Sequence, residues 1–238
     1  MNLRGGKRDL SGLPPEIASE IREHDRDRGP DEALNFGAPA DPRPAASIIL
    51  LRRGEKHSSR GLEVLLAKRS EQARFMPGVW VFPGGSVDPE DGPEHGDGTA
   101  QRACAARELR EEVAIELAQG EELILFARWI TPEMVKSRFD AWFFLALAPR
   151  HSPPKPDGTE TSDAGWFTPS EALEAHQAGE ISLVFPTIRQ LQDLLPFGTS
   201  AEALEAYRTR QVEPILPKPV ETPEGVQLLL PGDPGYPT

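Results

Sequence analysis

Short runs of apolar residues recur along the middle of the chain, separated by polar, glycine-rich or proline-rich segments. Runs of this length, bounded by turn residues, are typical of buried β-strands. They predict six strands, at residues 46–51, 62–67, 79–82, 123–130, 141–148 and 165–167. The polar stretch between the first two runs predicts a turn, because it interrupts the apolar pattern with charged residues and glycine.

Two helices are predicted after the strands. Thr168-Pro169-Ser170-Glu171 has the form of a capping box with proline at the first helical position, and it predicts a helix through Leu173. Pro186 predicts the start of a second helix. The buried side of that second helix is predicted to carry Ile188, Leu191 and Leu195. Strands on either side of a central helix, followed by more helices, indicate an α+β sandwich.

The central helix is predicted over residues 99–117, where small and apolar residues recur at helical intervals. At about 100° per residue, these positions share one side of the helix, which is the side expected to face the core. The apolar side is predicted to carry Ala103, Ala106, Leu109 and Val113.

The chain ends are predicted to lie outside the folded domain. Residues 1–44 predict an N-terminal extension, with a short helix opened after Pro15 and then a linker rich in Asp, Arg, Pro and Gly. The domain is predicted at residues 45–198, and residues 199–238 form a C-terminal extension that packs on it. Within that extension, residues 228–235 predict an edge strand and loop. This segment either closes over the site or packs in a homodimer interface.

Composition limits the classes of partner. The chain has 238 residues and a formal charge of −12, which argues against nucleic acid as the main partner because phosphate polymers are bound by excess Lys and Arg. A single cysteine, Cys104, excludes an intramolecular disulfide and a cysteine-based zinc cluster. The sequence has neither an apolar run of about 18 residues nor a secretory signal pattern, so no membrane partner and a cytoplasmic location are predicted.

The central helix also carries a row of carboxylates. Glu108, Glu111 and Glu112 fall on one side, because residues at i, i+3 and i+4 are neighbours on a helix. Ionised carboxylates this close repel one another, and an oxygen-only ligand set suits Mg²⁺ or Mn²⁺. We expect this acidic side to stay open, with a divalent ion among the carboxylates. The alternative is a solvated acidic face with Arg107 and Arg110 as its partners.

Residues 82–113 resemble the nudix box, the signature Gly-x5-Glu-x7-Arg-Glu-U-x-Glu-Glu-x-Gly-U, in which U is a bulky aliphatic residue. The match includes Phe82-Pro83-Gly84-Gly85 and the run Arg107-Glu108-Leu109-Arg110-Glu111-Glu112-Val113. The resemblance implies a nudix-type α/β/α sandwich with a mixed central sheet and metal-dependent hydrolysis of a diphosphate linkage. The implied metal ligands are Glu108, Glu111, Glu112 and the Gly85 carbonyl.

Two features depart from that signature. Residues 86–106 number twenty-one between the glycine and the arginine, where the signature has thirteen, and Thr99 stands eight residues before Arg107 instead of glutamate. In the family that glutamate braces the box arginine. Asp97, Glu94, Glu90 and Asp88 are the expected substitutes from the enlarged loop. Ala114 replaces the signature glycine and predicts that the helix continues a little further before it ends.

The segment before the box is similar to the extended signature of coenzyme A diphosphatases. That pattern is Leu-Leu-x-x-Arg-Ser, a downstream arginine and Phe-Pro-Gly-Gly-x-x-Asp, matched here by Leu65 to Ser70, Arg74 and Phe82 to Asp88. Lys68, Arg69 and Arg74 are therefore predicted to bind the phosphates of CoA. The alternative is that Lys68 and Arg69 only end a strand at the surface. Residues 128–132, 138–140 and 180–186 look like the peroxisomal-type acyl-CoA diphosphatase branch, which also has an enlarged box loop.

The resemblance assigns catalytic roles to the box glutamates Glu108 and Glu111, and Arg107 is expected to hold them in place. The general base in this family is a box glutamate or one from a later loop, and Glu160 is the preferred later residue, with Glu133 second. Hydrolysis of CoA or acyl-CoA is the first hypothesis. The alternatives are hydrolysis of ADP-ribose or a dinucleotide, and a nudix-fold sensor that binds such a ligand without cleaving it.

Overall fold

The computed structural model describes residues 35, 37–53, 61–222 and 225–237. Within these ranges the strands are β1 Arg43–Arg53, β2 Leu62–Arg69, β3 Trp80–Val81, β4 Gly84–Ser86, β5 Ile124–Ile130, β6 Phe139–Leu147, β7 Thr161–Phe167, β8 Pro214–Ile215, β9 Lys218–Thr222 and β10 Gly225–Leu229. The helices are α1 Thr99–Val113, α2 Pro169–Gln177, α3 Phe185–Leu194 and α4 Ser200–Arg208, with one 3₁₀ turn, η1, at Pro89–Asp91.

The main sheet is mixed. Its strand order is β3-β2-β1-β6-β5-β8, with β4 also pairing β1 and β7 also pairing β2. The β1–β6 and β5–β8 pairs are parallel, whereas β1 is antiparallel to β2 and to β4. Because β4 pairs with β1 at Ala45 to Ser47 and β2 pairs with it further along, the sheet opens between β1 and β2 beside the glycine turn.

Alternation along β1 sends residues to two separate cores, as expected for a strand buried on both faces. Ile48 and Leu50 pack beneath α1, whereas Ile49 and Leu51 pack beneath α2, α3 and α4. Helices therefore cover both faces of one sheet. This arrangement confirms the predicted α/β/α sandwich with a mixed central sheet.

The boundaries of α1 and α3 differ from the predictions. Helix α1 ends at Val113 rather than near residue 117, because Ala114 adopts the left-handed conformation (φ 55°, ψ 34°) in the place of the signature glycine. Ala103 is exposed, so it does not belong to the buried side of α1. Helix α3 ends at Leu194, and Leu195 is 50% exposed, which corrects its assignment to the buried side.

The residues after the predicted domain are extensively structured. Helix α4, which the sequence reasoning did not identify, contributes Ala203, Leu204 and Tyr207 to the core beneath α2 and α3. Strand β8 adds to the sheet edge by pairing with β5, and β9 and β10 form a separate antiparallel hairpin.

The N-terminal helix predicted after Pro15 lies outside the described residues, as does most of the turn predicted between β1 and β2. Among the described residues, no helix is long and apolar enough to span a bilayer.

Candidate active site

A glycine turn lies over the inner side of α1. Gly84 and Gly85 form most of β4, which pairs with β1 at Ala46 and Ser47. A Cβ atom on Gly84 would overlap the Ala46 carbonyl, and a Cβ on Gly85 would overlap the Glu108 carboxylate. Only glycine permits this approach, so the turn brings backbone groups directly against the helix carboxylates.

The carboxylates of α1 are not all open to solvent, contrary to the prediction. Glu108 and Glu112 are only 9% and 4% exposed, because their side of the helix faces β4. The Gly84 N–H donates to Glu112 Oε2 at 3.1 Å. The Glu111 side chain, by contrast, is half exposed and pairs with Arg107 at 3.0 Å and Arg110 at 3.5 Å.

Arg107 joins the loop to the helix. Its Nε and Nη2 donate to the two Asp91 carboxylate oxygens at 2.9 and 2.8 Å, and Nη2 also donates to the Ser86 carbonyl at 3.1 Å. Its Nη1 donates to Glu108 at 2.8 Å and to Glu111 at 3.0 Å. These acidic partners raise the Arg107 pKa above its ordinary value, with Asp91 the largest cause. Arg107 is therefore held as a fixed cation between loop and box carboxylates.

Asp91 is the brace that the sequence reasoning missed. Five residues separate Gly85 from Asp91, so Asp91 occupies the signature's own glutamate position when the count starts at the glycine, whereas eight positions back from Arg107 is Thr99. The extra loop residues therefore follow the brace instead of preceding it.

Of the four predicted substitutes for that glutamate, Asp88 comes within 3.7 Å of Arg107, and Asp97 instead accepts the Thr99 N–H at 2.9 Å. Glu90 and Glu94 are not among the partners of Arg107 in the described residues. Burial raises the pKa of Asp91, but the bonds from Arg107 and the backbone outweigh it, so the net pKa is lowered.

The two buried glutamates, Glu108 and Glu112, are weaker acids than an ordinary glutamate. Burial is the main cause that raises the pKa of Glu112 to about 8, and repulsion from Glu108 is the next. Burial also raises the pKa of Glu108, against the opposing bond from Arg107. Glu160 adds repulsion to both groups, so the structure brings this loop residue into electrostatic range of the box. Burial and repulsion between the carboxylates thus both disfavour the ionised forms of Glu108 and Glu112.

The chemistry of this donor set fits a divalent cation. Two buried carboxylates beside the glycine turn supply hard oxygen ligands, and their raised pKa values show that positive charge would be favourable between them. Among the described residues, no group of three or more His, Cys, Asp or Glu side chains is already gathered tightly enough to enclose an ion. The two Glu111 carboxylate oxygens instead pair with Arg107 and Arg110.

The predicted phosphate-binding residues lie at the end of β2, where Lys68 and Arg69 stand, and in the loop after it, which carries Arg74. Arg69 Nε donates to the Phe75 carbonyl at 2.9 Å, and its charge acts to lower the pKa of Glu112, which places Arg69 near the box. Lys68 instead pairs with Glu71 at 3.0 Å. Arg74 is exposed on the loop that joins β2 to β3. Of the three basic residues, Arg69 thus has the best supported position.

Glu160 ends a loop that is bonded to the C-terminus of α1. The Lys155 N–H donates to the Val113 carbonyl at 2.8 Å, and the Asp157 N–H donates to the Glu112 carbonyl at 3.0 Å. Glu133 lies in the separate loop between β5 and β6 and is not a named influence on either buried glutamate. The structure thus favours Glu160 over Glu133 as a residue of the site.

Comparisons with known proteins agree with this geometry. A family model described as the NUDIX domain matches residues 41–185. The human acyl-coenzyme A diphosphatase NUDT19 is 25% identical, with 83% of this chain and 81% of that protein covered. The Xenopus laevis protein of the same name is 24% identical, with 77% and 73% covered. The crystal structure of a NUDIX hydrolase from Alicyclobacillus acidocaldarius superposes with a TM-score of 0.62 at 27% identity, covering 70% of this chain and 96% of that one.

Proposed function

This chain belongs to the NUDIX family and is a hydrolase of diphosphate bonds, and from that premise we propose that its substrate is coenzyme A or an acyl-CoA. Hydrolases of this family act on small-molecule diphosphates and generally need divalent metal ions such as Mg²⁺ or Mn²⁺. The named acyl-CoA diphosphatases are similar to this chain over most of its length, which supports the narrower substrate class.

The observation that carries the proposal is the position of Arg69. Its charge influences Glu112, so a cation stands beside the carboxylate site, and its bond to the Phe75 carbonyl restrains the guanidinium. CoA carries a 3′-phosphate in addition to its diphosphate, and arginine is suited to bidentate binding of phosphate. We expect Arg69 to bind phosphate oxygens of the substrate.

In the proposed reaction, water attacks one phosphorus of the diphosphate and the bond from that phosphorus to the bridging oxygen breaks. The products are adenosine 3′,5′-bisphosphate and a 4′-phosphopantetheine species. A divalent ion held by Glu108, Glu111, Glu112 and the Gly85 carbonyl would neutralise phosphoryl charge and acidify the attacking water. Glu160 accepts the proton from that water. Arg107, fixed by Asp91, orients Glu108 and Glu111.

The first experiment compares substrates with the purified protein in Mg²⁺ or Mn²⁺. CoA, an acyl-CoA, 3′-dephospho-CoA, ADP-ribose and NADH are incubated in parallel, and products are separated by chromatography. The proposal predicts the highest kcat/KM for CoA or the acyl-CoA. Faster turnover of ADP-ribose or NADH would instead assign the enzyme to nucleoside diphosphate derivatives outside the CoA class. Binding without any turnover would favour the sensor hypothesis.

A variant pair tests the role of Arg69. Arg69→Met keeps the aliphatic stem but removes the charge, and it should lower kcat/KM for CoA by about 10-fold to 100-fold, the loss expected for one phosphate contact. The matched control is Arg189→Met, because Arg189 is an exposed arginine on α3. If Arg69 reads the 3′-phosphate, the variant should also lose any preference for CoA over 3′-dephospho-CoA. Equal losses on both substrates would place Arg69 at the diphosphate.

A further inference from the structure

The loop before β7 is bonded to the end of the box helix and to the loop after β2. Two N–H groups of the loop, those of Lys155 and Asp157, donate to the Val113 and Glu112 carbonyls at 2.8 and 3.0 Å. These carbonyls lie in the last turn of α1, where no further helical partner is available. The loop therefore takes its position from the same helix turn that carries Glu112.

The Asp157 carboxylate organises the end of this loop. It accepts the Thr161 N–H at 2.8 Å, and both of its oxygens lie within reach of the Glu160 N–H, at 3.0 and 3.2 Å. On the other side, the Ser70 N–H donates to the Glu160 carbonyl at 2.7 Å. The peptide groups on both sides of the Glu160 Cα are thus fixed, although the Glu160 side chain is exposed.

We propose that Asp157 is a positioning residue that holds Glu160 in place to act as the base. This inference rests on the proposed function, specifically on Glu160 as the proton acceptor. A base must lie within hydrogen-bond reach of the water that it deprotonates, and a displacement of about 1 Å can cost about 100-fold in rate. Fixing the Glu160 backbone from both sides restricts where its carboxylate can reach, and Asp157 ties that backbone to the helix that holds the metal ligands.

A double-mutant cycle with full-length protein tests the proposal. Asp157→Ala, Glu160→Gln and the double variant are assayed with whichever diphosphate the wild-type protein hydrolyses fastest, so the outcome does not depend on the identity of the substrate. We expect Glu160→Gln to lower kcat by about 100-fold or more. Asp157→Ala should lower kcat by about 10-fold with little change in KM, and it should add nothing in the Glu160→Gln background.

The outcomes separate the two claims. An unaffected Glu160→Gln variant would overturn both the base assignment and this inference. A slow Glu160→Gln variant together with a normal Asp157→Ala variant would overturn this inference alone. Losses that multiply in the double variant would also overturn it, because Asp157 would then act independently of Glu160.

Three further measurements distinguish positioning from general support of the fold. Asp157→Asn keeps an oxygen acceptor at the same side-chain length and should recover most of the rate lost in Asp157→Ala. An Asp157→Asn variant as slow as Asp157→Ala would contradict the proposal. The matched control is Asp163→Ala, because Asp163 is an exposed aspartate on β7 that accepts its neighbouring Ala164 N–H, at 2.8 Å. The third measurement is the division of each loss between kcat and KM: Asp157→Ala should lower kcat alone, and Asp163→Ala should change neither.

Discussion

The two faces of the central sheet are built in different ways. On one face, α2 and α4 each begin with a capping box, in which Thr168 and Thr199 accept the N–H groups of Glu171 and Glu202, and apolar residues fill the core. On the other face, α1 begins without a side-chain cap and ends at Ala114 in a left-handed conformation.

Helix α1 also buries Glu108 and Glu112 beside small residues such as Cys104. The difference teaches that the face covered by α1, which we call the catalytic face, collects locally unfavourable features, and the rest of the fold supports them.

The largest expected effect is on the catalytic face. Glu112→Gln should lower metal-dependent kcat by about 10³-fold or more, because a neutral amide is a poor substitute for a carboxylate ligand of a divalent ion. Glu111→Gln should also abolish turnover while leaving folding nearly intact, since the Glu111 side chain is half exposed. Steady-state assays in Mg²⁺, with circular dichroism as the folding control, measure both effects. A normal rate in either variant would show that its ligand assignment is wrong.

On the opposite face, substitution should damage stability and spare chemistry. Leu191 is fully buried in the core beneath α3, so Leu191→Ala should lower the free energy of unfolding by about 2–4 kcal/mol. Its kcat per folded molecule should stay within about twofold of wild type. Urea denaturation and active-site-normalised assays give the two values. A large loss of kcat with unchanged stability would remove the distinction between the faces.

The pH dependence of stability should also belong to the catalytic face. The folded-state pKa of Glu112, about 8, lies above its ordinary value of 4.5, so the native state binds more protons than the unfolded state between these values. In chelator-treated protein, stability should therefore fall as pH rises from 4.5 to 8, by roughly 5 kcal/mol at about 1.4 kcal/mol per pKa unit.

Glu112→Gln should flatten this part of the pH curve and be the more stable protein at pH 8 when metal is absent. Addition of Mg²⁺ should raise the thermal midpoint of wild type more than that of the variant. Parallel curves for the two proteins across this pH range would contradict the prediction.

A smaller effect is expected where the loop meets the catalytic face. Asp91→Asn keeps the shape of the side chain that braces Arg107 but removes its charge. It should lower the free energy of unfolding by about 1–2 kcal/mol, while Arg107 keeps its bonds to its other carboxylate partners. Asp88→Asn is the matched control, because Asp88 is more exposed and 3.7 Å from Arg107. Equal destabilisation by the two variants would argue against Asp91 as the principal brace.

The smallest effect tests the strained end of α1. Ala114→Gly should raise the free energy of unfolding by about 0.5 kcal/mol, because glycine removes the left-handed penalty but adds freedom to the unfolded chain. Ala103→Gly, at an exposed position inside the same helix, should instead lower it by about 1 kcal/mol. Chemical denaturation of both variants measures this opposite pair. If Ala114→Gly lowered the free energy of unfolding, the left-handed conformation of Ala114 would not be a source of strain.

Much of the architecture could be predicted from the sequence because its signals are local. The strand runs and the Thr168 capping box depend on neighbouring residues, and the helix over the carboxylates depends on periodicity. Thr199 and Glu202 carry the same capping signal, which was present in the sequence and overlooked. The helix was wrongly predicted to continue past Ala114, because alanine by itself favours helix. In the structure, the Lys155 and Asp157 N–H groups bond to the last carbonyls of α1, where the helix ends.

The site was harder to predict than the fold. When only the helix is considered, a row of glutamates indicates a face exposed to solvent. Glu108 and Glu112 are buried because the glycine turn lies over them. The Asp91–Arg107 pair was missed because the eight inserted residues lie between Asp91 and Arg107. The signature position of the glutamate is therefore Asp91 when counted from Gly85 but Thr99 when counted from Arg107. Contacts between distant segments, not residue types, decide both cases.

The parallel pairing of β1 with β6 has a consequence for how the protein folds. Arg43 pairs opposite Phe139, so this pairing joins positions roughly a hundred residues apart, and the intervening chain includes the glycine turn and α1. Closing so long a loop is slow, because its entropy must be lost before the contacts form. We expect hairpins such as β5–β6 to form early and the carboxylate site to assemble late. A chain released before β6 is synthesised would therefore carry the complete box sequence without its active geometry.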